Sequence, residues 1–311
     1  MNRFTWLAAV GLLAFATTAS AQLMGSGRYW ISGDGAVPRH TEAIDGDITA
    51  IKAEGYHLYW KPSDIFAWGE AYGYNADPNL EAVRVAVRAI DVDNNLALAE
   101  GEDPADKATD ADWQGNYYHS WDVDNFYVAA DNVDNHYDVI QGPDDAEWAF
   151  WKRDMTMLAF DLLNIGGNEA DRFGLPVVMV HPMNLDEAVF SMQMTTKSEV
   201  GGAAIDVMYG NDPEYFMGAD LAGGPTATGY MWETSLPWDL LFQFVPDARA
   251  NVGPGYEFRL RYIVADPDGD DAYGQTFWGA DNTNLGNLSW WPQWSLAEEK
   301  STAVEQSTWG T

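Results

Sequence analysis

Apolar and polar residues alternate with period two along much of the chain, which is the signature of half-buried β-strands. Around the middle, Tyr117, His119 and Trp121 share one face of an extended segment, and Tyr118 and Ser120 the other. Asp122-Val123-Asp124-Asn125 then makes a polar turn of residues that bond their own backbone. A second strand follows, with Phe126, Val128 and Ala130 on one face and Tyr127 and Ala129 on the other, before an acidic loop at Asp131–Asn135. The two form a β-hairpin. Further strands are expected at Tyr56–Trp60, Met155–Asp161, Pro176–Val180, Ala188–Thr196, Tyr230–Leu236, Tyr256–Val264, Thr276–Gly279 and Leu288–Leu296, with another at Ala203–Tyr209. Met155–Phe160 is apolar on both faces, as a buried strand is. Leu80–Ile90 fits a strand and also a passable helix; its β-branched residues favour strand. A short helix begins at Pro237-Trp238, with proline near its first position.

Gln22–His40 is an unpatterned, Gly-rich lead-in, and residues 211–229 are a Gly/Pro/Asp-rich excursion. Many short strands, turn chemistry between them and few helices predict an all-β, antiparallel β-sandwich, jelly-roll-like, with long loop insertions and one or two short helices. Neither a repeat nor a clear linker divides it.

Composition changes this picture in three places. Residues 1–21 read as a secretory signal: Asn2-Arg3, an apolar run from Phe4 to Ala16, and Ala19-Ser20-Ala21 as the cleavage site. That run is too short to span a bilayer, and no later segment is long and apolar enough to do so. The expected product is secreted, periplasmic or at the cell surface. It would comprise a single domain over residues 22–298, insertions at about 62–110 and 196–229, and a polar tail at 299–311. The chain has no cysteine, which excludes a disulfide framework and thiolate chemistry.

The formal net charge is −32, from 48 acidic and 16 basic residues, and it argues against nucleic acid or an anionic membrane as partner. A salty habitat suits the bulk of that charge, and calcium suits particular acidic clusters. Aromatic residues make up 14%, with 15 tryptophans. Most belong in a β-rich core, but flat aromatic faces also stack on the apolar faces of sugar rings.

Several landmarks, in order, resemble family 9 carbohydrate-binding modules and their DOMON-like relatives. Ile44-Asp45-Gly46 is similar to the "IDG" near the start of such modules, and Trp113–Asp134 to their central hairpin. Trp151-Lys152-Arg153-Asp154, running on to Asp161, is similar to the "W-x-x-D-S-V-E" strand. Tyr230–Trp238 resembles the strand leading into "IPW", Tyr256–Asp271 a strand with "V-x-D-x-D", and Ser289–Leu296 the closing strand.

The resemblance implies a sugar clamped between two indole rings, Trp151 and either Trp290 or Trp291, with Asp154 of the same motif beside it. The family's glutamate falls at Met157 here, and its arginine has no counterpart among Phe190, Ser191, Met192 and Gln193. Family members also bind calcium. The acidic loops that suit it here are Asp122/Asp124, Asp131/Asp134 and Asp266/Asp268/Asp270/Asp271; none has EF-hand spacing.

The leading expectation is a secreted, non-catalytic module that binds the terminus of a polysaccharide or oligosaccharide, calcium-stabilised, and associated with polysaccharide breakdown. Three other classes compete. Relatives of this sandwich hold haem b, and Met179, His181, Met183, Met192, Met194 and Lys197 are candidate ligands, although methionine in a core is usually packing. A hydrolase would need a carboxylate pair that no spacing singles out; G-x-S-x-G, H-E-x-x-H and P-loop motifs are absent. The five histidines, at 40, 57, 119, 136 and 181, show no metal-ligand spacing. A surface adhesion or structural module fits the composition too.

Overall fold

The central hairpin forms as its pattern predicts, in the middle of a five-stranded sheet. The computed structural model describes residues 36–60, 113–134, 154–164, 176–184, 189–195, 208–209, 218–243, 245–266, 275–278 and 293–300. Strands β3 (Trp113–Trp121) and β4 (Asn125–Asp134) pair antiparallel from Trp113↔Asp134 to Trp121↔Phe126. The turn between them is held by Asp122, whose Oδ1 accepts the N–H groups of Asp124 and Asn125, each at 2.8 Å. On either side lie β2 (Tyr56–Trp60) and β10 (Gly229–Pro237), with β9 (Asp220–Pro225) beyond β10, giving the order β2-β3-β4-β10-β9.

The second sheet contains β1 (Ala36–Pro38), β5 (Met155–Asp161), β6 (Val177–Asn184), β7 (Val189–Thr195), β8 (Met208–Tyr209), β11 (Glu257–Asp266), β12 (Gln275–Trp278) and β13 (Gln293–Ala297). Its order is β1-β13-β11-β5-β6-β7-β8, and β12 also pairs with β11. Every pairing among the described strands is antiparallel except β1 on β13. The all-β, two-sheet sandwich is therefore the architecture adopted.

Between the sheets the side chains meet in rows. Phe126 lies against Phe160 and Phe258, ring centroids 6.0 and 5.7 Å apart. One row along, His119 lies against Tyr262, and its Nε2 accepts the Tyr262 hydroxyl. Next, the Tyr117 ring is 4.9 Å from Tyr262 and its hydroxyl shares a hydrogen bond with Thr156. These cross-sheet contacts fix the registration of one sheet on the other. Burial of such aromatic rings is the main source of stability, about 1.5–3 kcal/mol for each fully buried large side chain.

Elements differ from expectation where context outweighs pattern. Asp131–Asp134 lies in β4, not in a loop: Val133 pairs with both Gln114 and Gly229, and two flanking strands hold these polar residues extended. Pro182 does not end β6, which continues to Asn184 through a register shift between Pro182 and Asn184 that accommodates the proline. Part of the expected insertion is β9, and part of the lead-in is β1. A helix absent from the sequence reading, α1 (Thr49–Glu54), covers the outer face of the hairpin, where Ile48 and Ile51 pack on Tyr118, Tyr127 and Ala129. The short helix after β10 is present as α2 (Trp238–Leu241). Leu80–Ile90, residues 1–21 and residues 301–311 of the tail lie outside the described residues.

The segment entering α1 is pinned by Glu233 of β10. Its Oε1 accepts the N–H groups of Asp45 at 2.8 Å and of Gly46, which sits at φ 87°. Burial pushes this carboxyl above its usual range, and the two N–H bonds only partly oppose that. Holding it ionised at neutral pH therefore opposes folding, and the associated stability is regained as pH falls towards the ordinary glutamate value. Glu233→Gln keeps the accepting oxygen and removes the charge. It is expected to equal or exceed the parent at pH 7, whereas Glu233→Ala loses about 1–3 kcal/mol; urea unfolding of both variants checks the pair.

Candidate binding site

The rows between the sheets change character towards the end where β4 stops and β5 starts. Beyond Tyr117 and Thr156, the residues in core phase are Gly115 and Asn132 on one sheet and Asp154 on the other, then Trp113 and Asp134. Asn132 and Asp154 are 0% exposed and Asp134 is 3% exposed. An aromatic interior thus turns polar and acidic at one end. Local backbone geometry allows it. Gly115 leaves room for the Trp113 ring, whose atoms would lie 2.5 Å from a Cβ there, and Gly229 lets β10 approach the Asn132 carbonyl, 1.9 Å from where a Cβ would be.

Asp154, expected beside the sugar clamp, is one of these interior groups. Trp151, Trp290 and Trp291 lie outside the described residues. The strands that follow them, β5 and β13, flank β11 on its two sides.

The residues expected to hold calcium fall in different settings. Asp122 spends both carboxylate oxygens on the protein: Oδ1 on the turn, Oδ2 on the hydroxyls of Tyr127 at 2.7 Å and Thr41 at 2.9 Å. Burial works to raise this carboxyl, but those four bonds outweigh it and the net shift is downward. Asp124 is exposed. Asp131 pairs with Lys52 at 2.6 Å, which raises the lysine. It lies on the opposite face of β4 from Asp134, so these two do not form one loop cluster. Asp266 ends β11, and Asp268, Asp270 and Asp271 lie outside the described residues. Among the described residues no group of three or more His, Asp or Glu side chains is placed to hold a metal.

Of the candidate haem ligands, Met179 is 1% exposed and packs with Met155 on the outer side of its sheet. By register Met192 pairs with Val180, Met194 with Val178 and Met179 with Gln193. Lys197 lies outside the described residues.

Asn132 is the site residue the sequence reading passed over. The signal for Asn132 was present: it continues the phase of Phe126, Val128 and Ala130.

No family model matches the chain, and no curated protein does. Among solved structures, it is similar to a family 9 carbohydrate-binding module from Caldicellulosiruptor kristjanssonii. Against that module in complex with cellotriose the identity is 11% and the TM-score 0.43, over 86% of this chain and 96% of that one. Against the module in complex with glucose the values are 12% and 0.45, over 87% and 98%. Among the described residues no helix is long and apolar enough to cross a membrane.

Proposed function

We propose that this chain is a carbohydrate-binding module that holds the end of a glycan between Trp151 and Trp290 or Trp291, and that it works outside the cytoplasm after loss of residues 1–21. The observation that supports this reading is the interlocking of the sequence landmarks. Asp45 and Gly46 bond Glu233 of the Tyr230–Trp238 run. Trp238 donates its backbone N–H to Asp124 and its Nε1–H to Asp122 in the central hairpin. Trp121 Nε1 donates to Ala297 in the closing strand, and Trp294 Nε1 to Leu260 of β11. Tyr117 joins the hairpin to β5. Landmarks scattered over most of the chain thus form one bonded frame, which favours a shared module over chance matches of short motifs.

Two facing indoles suit a pyranose, whose axial C–H groups make apolar faces, while polar groups at the rim fix its hydroxyls. Binding without cleavage is the reading, since it asks for no placed acid and base pair. The test is retention on immobilised glucans and other glycans. Trp151→Ala should lose at least tenfold in affinity with its melting curve unchanged. Undiminished retention in Trp151→Ala would refute the clamp.

A further inference from the structure

We propose that the outer face of the five-stranded sheet carries a second glycan site, in which a linear, neutral oligosaccharide lies across the strands along Tyr59, Asn116, Asp131 and Met231. These four stand in one row: Tyr59 pairs with Asn116, Asn116 with Asp131, and Asp131 with Met231. One residue each from β2, β3, β4 and β10 makes the row about 14 Å long at ordinary strand spacing, room for a short chain of sugars rather than a single ring. Helix α1 covers the neighbouring part of this face, where Ile48 and Ile51 pack on Tyr118, Tyr127 and Ala129. Beside it His57, Tyr59, Gln114, Asn116, Asp131 and Met231 are only half-buried.

The row is already arranged. Asn116 is fixed at both ends of its amide: Oδ1 shares a hydrogen bond with His57 Nε2 at 3.0 Å, and Nδ2 donates to the Asp131 carbonyl at 3.3 Å. Tyr59 donates its hydroxyl to Gln114 Oε1 at 2.8 Å. The His57 ring is stacked on Tyr118, centroids 4.6 Å apart and planes within 8° of parallel. Lys52 of α1 engages Oδ2 of Asp131 at 2.6 Å, and Oδ1 remains to accept a hydroxyl. Side chains held in place lose little freedom on binding. A phenol ring, an amide and a carboxylate in line are groups that take a sugar's apolar face and its hydroxyls. Other occupants fit worse. The row lacks the apolar centre of a protein interface. Its one carboxylate is balanced by Lys52 in a chain of net charge −32, so neither an anion nor a cation is favoured there. Sugar as the ligand class rests on the function proposed above; the place is separate from the tryptophan clamp and uses none of its residues.

The experiment is calorimetric titration of the full chain and of Trp151→Ala with cellobiose, cellohexaose, and the hexamers of xylose and mannose. Trp151→Ala is expected to keep weak binding of a hexamer and to lose cellobiose, which spans too little of the row. Adding Tyr59→Ala or Asn116→Ala to Trp151→Ala should lower the remaining affinity by roughly fivefold or more, with the melting curve unchanged; either variant serves if the other does not fold. Val123→Ser, in the turn at the opposite end of the hairpin, should leave that affinity as it was. In proton NMR the hexamer should move the His57 ring signal, assigned with His57→Gln, and leave that of buried His119. A parent that binds hexamers only through Trp151 overturns the second site and leaves the clamp standing. Equal hexamer affinity with and without Tyr59→Ala and Asn116→Ala overturns the second site as well. A parent that binds none of these glycans overturns the sugar reading itself, and the second site with it.

Discussion

Replacing Asp122 by alanine is expected to lower stability by about 3–5 kcal/mol, measured by urea unfolding at pH 7. Its carboxylate accepts four hydrogen bonds: two N–H groups of its own turn, the Tyr127 hydroxyl from the strand that follows, and the Thr41 hydroxyl from the lead-in. Charge-assisted bonds contribute about 1.5–3 kcal/mol each, and four on one carboxylate overlap rather than add. The backbone of the same residue accepts Trp238 Nε1 at 3.0 Å, so a loosened turn also loosens a tryptophan that is 0% exposed. Asp122→Asn keeps one carbonyl oxygen for the turn and should lose about half as much. Because the native carboxyl is depressed, its contribution holds above the unfolded value of 3.8 and fades as pH falls through the lower folded value. A loss under 1 kcal/mol for alanine would show that the turn holds its shape through strand pairing alone.

Acid is expected to unfold this protein partly through one histidine. His119 Nδ1 donates to the Tyr56 carbonyl and Nε2 accepts from Tyr262, so the neutral tautomer is fixed from both sides. Burial lowers its pKa from 6.5 to about 3. A folded value below the unfolded one means that stability is complete above 6.5 and drains as pH falls from there to about 3. The slope reaches about 1.4 kcal/mol per pH unit, and the total is on the order of 4 kcal/mol. Glu42 and Glu233 work the other way, since burial raises both and they bind protons more readily folded. The expected profile is therefore a shallow fall just below pH 6.5, steepening nearer pH 3. His119→Gln should be less stable at pH 7 by about 2–4 kcal/mol and flatter across that window. A variant whose slope matches the parent would assign the acid sensitivity to other groups.

The sequence made the hairpin legible down to its faces because both strands obey strict alternation and the turn carries its own chemistry. Phe126, Val128 and Ala130 do point inward, and Tyr127 and Ala129 outward, where α1 covers them. That covering helix was hidden because six residues complete fewer than two turns and show no helical period. β9 was hidden because Gly223, Gly224 and Pro225 carry almost no strand preference; its pairing with β10 comes from backbone groups of a neighbour. Asn132 was misplaced for a related reason. Three polar residues among the four after Ala130 look like a loop until β3 and β10 are known to hold them on both sides. The proposed clamp of Trp151 with Trp290 or Trp291 rests on motif resemblance alone, and these residues lie outside the described ones.

Strand β1 has a wider consequence. It pairs with β13 on one sheet, and Arg39 just past it bridges Trp121 on the other, with a salt bridge from Arg39 to Glu298 across 259 residues of sequence. The seam along that side is thus sewn by the two described segments most distant along the chain. A nascent polypeptide leaving the ribosome would carry that seam open until β13 and Glu298 had emerged, exposing unpaired backbone to other chains. Closing so long a loop is slow, so holding the chain unfolded until β13 is available would favour a productive outcome over clumping.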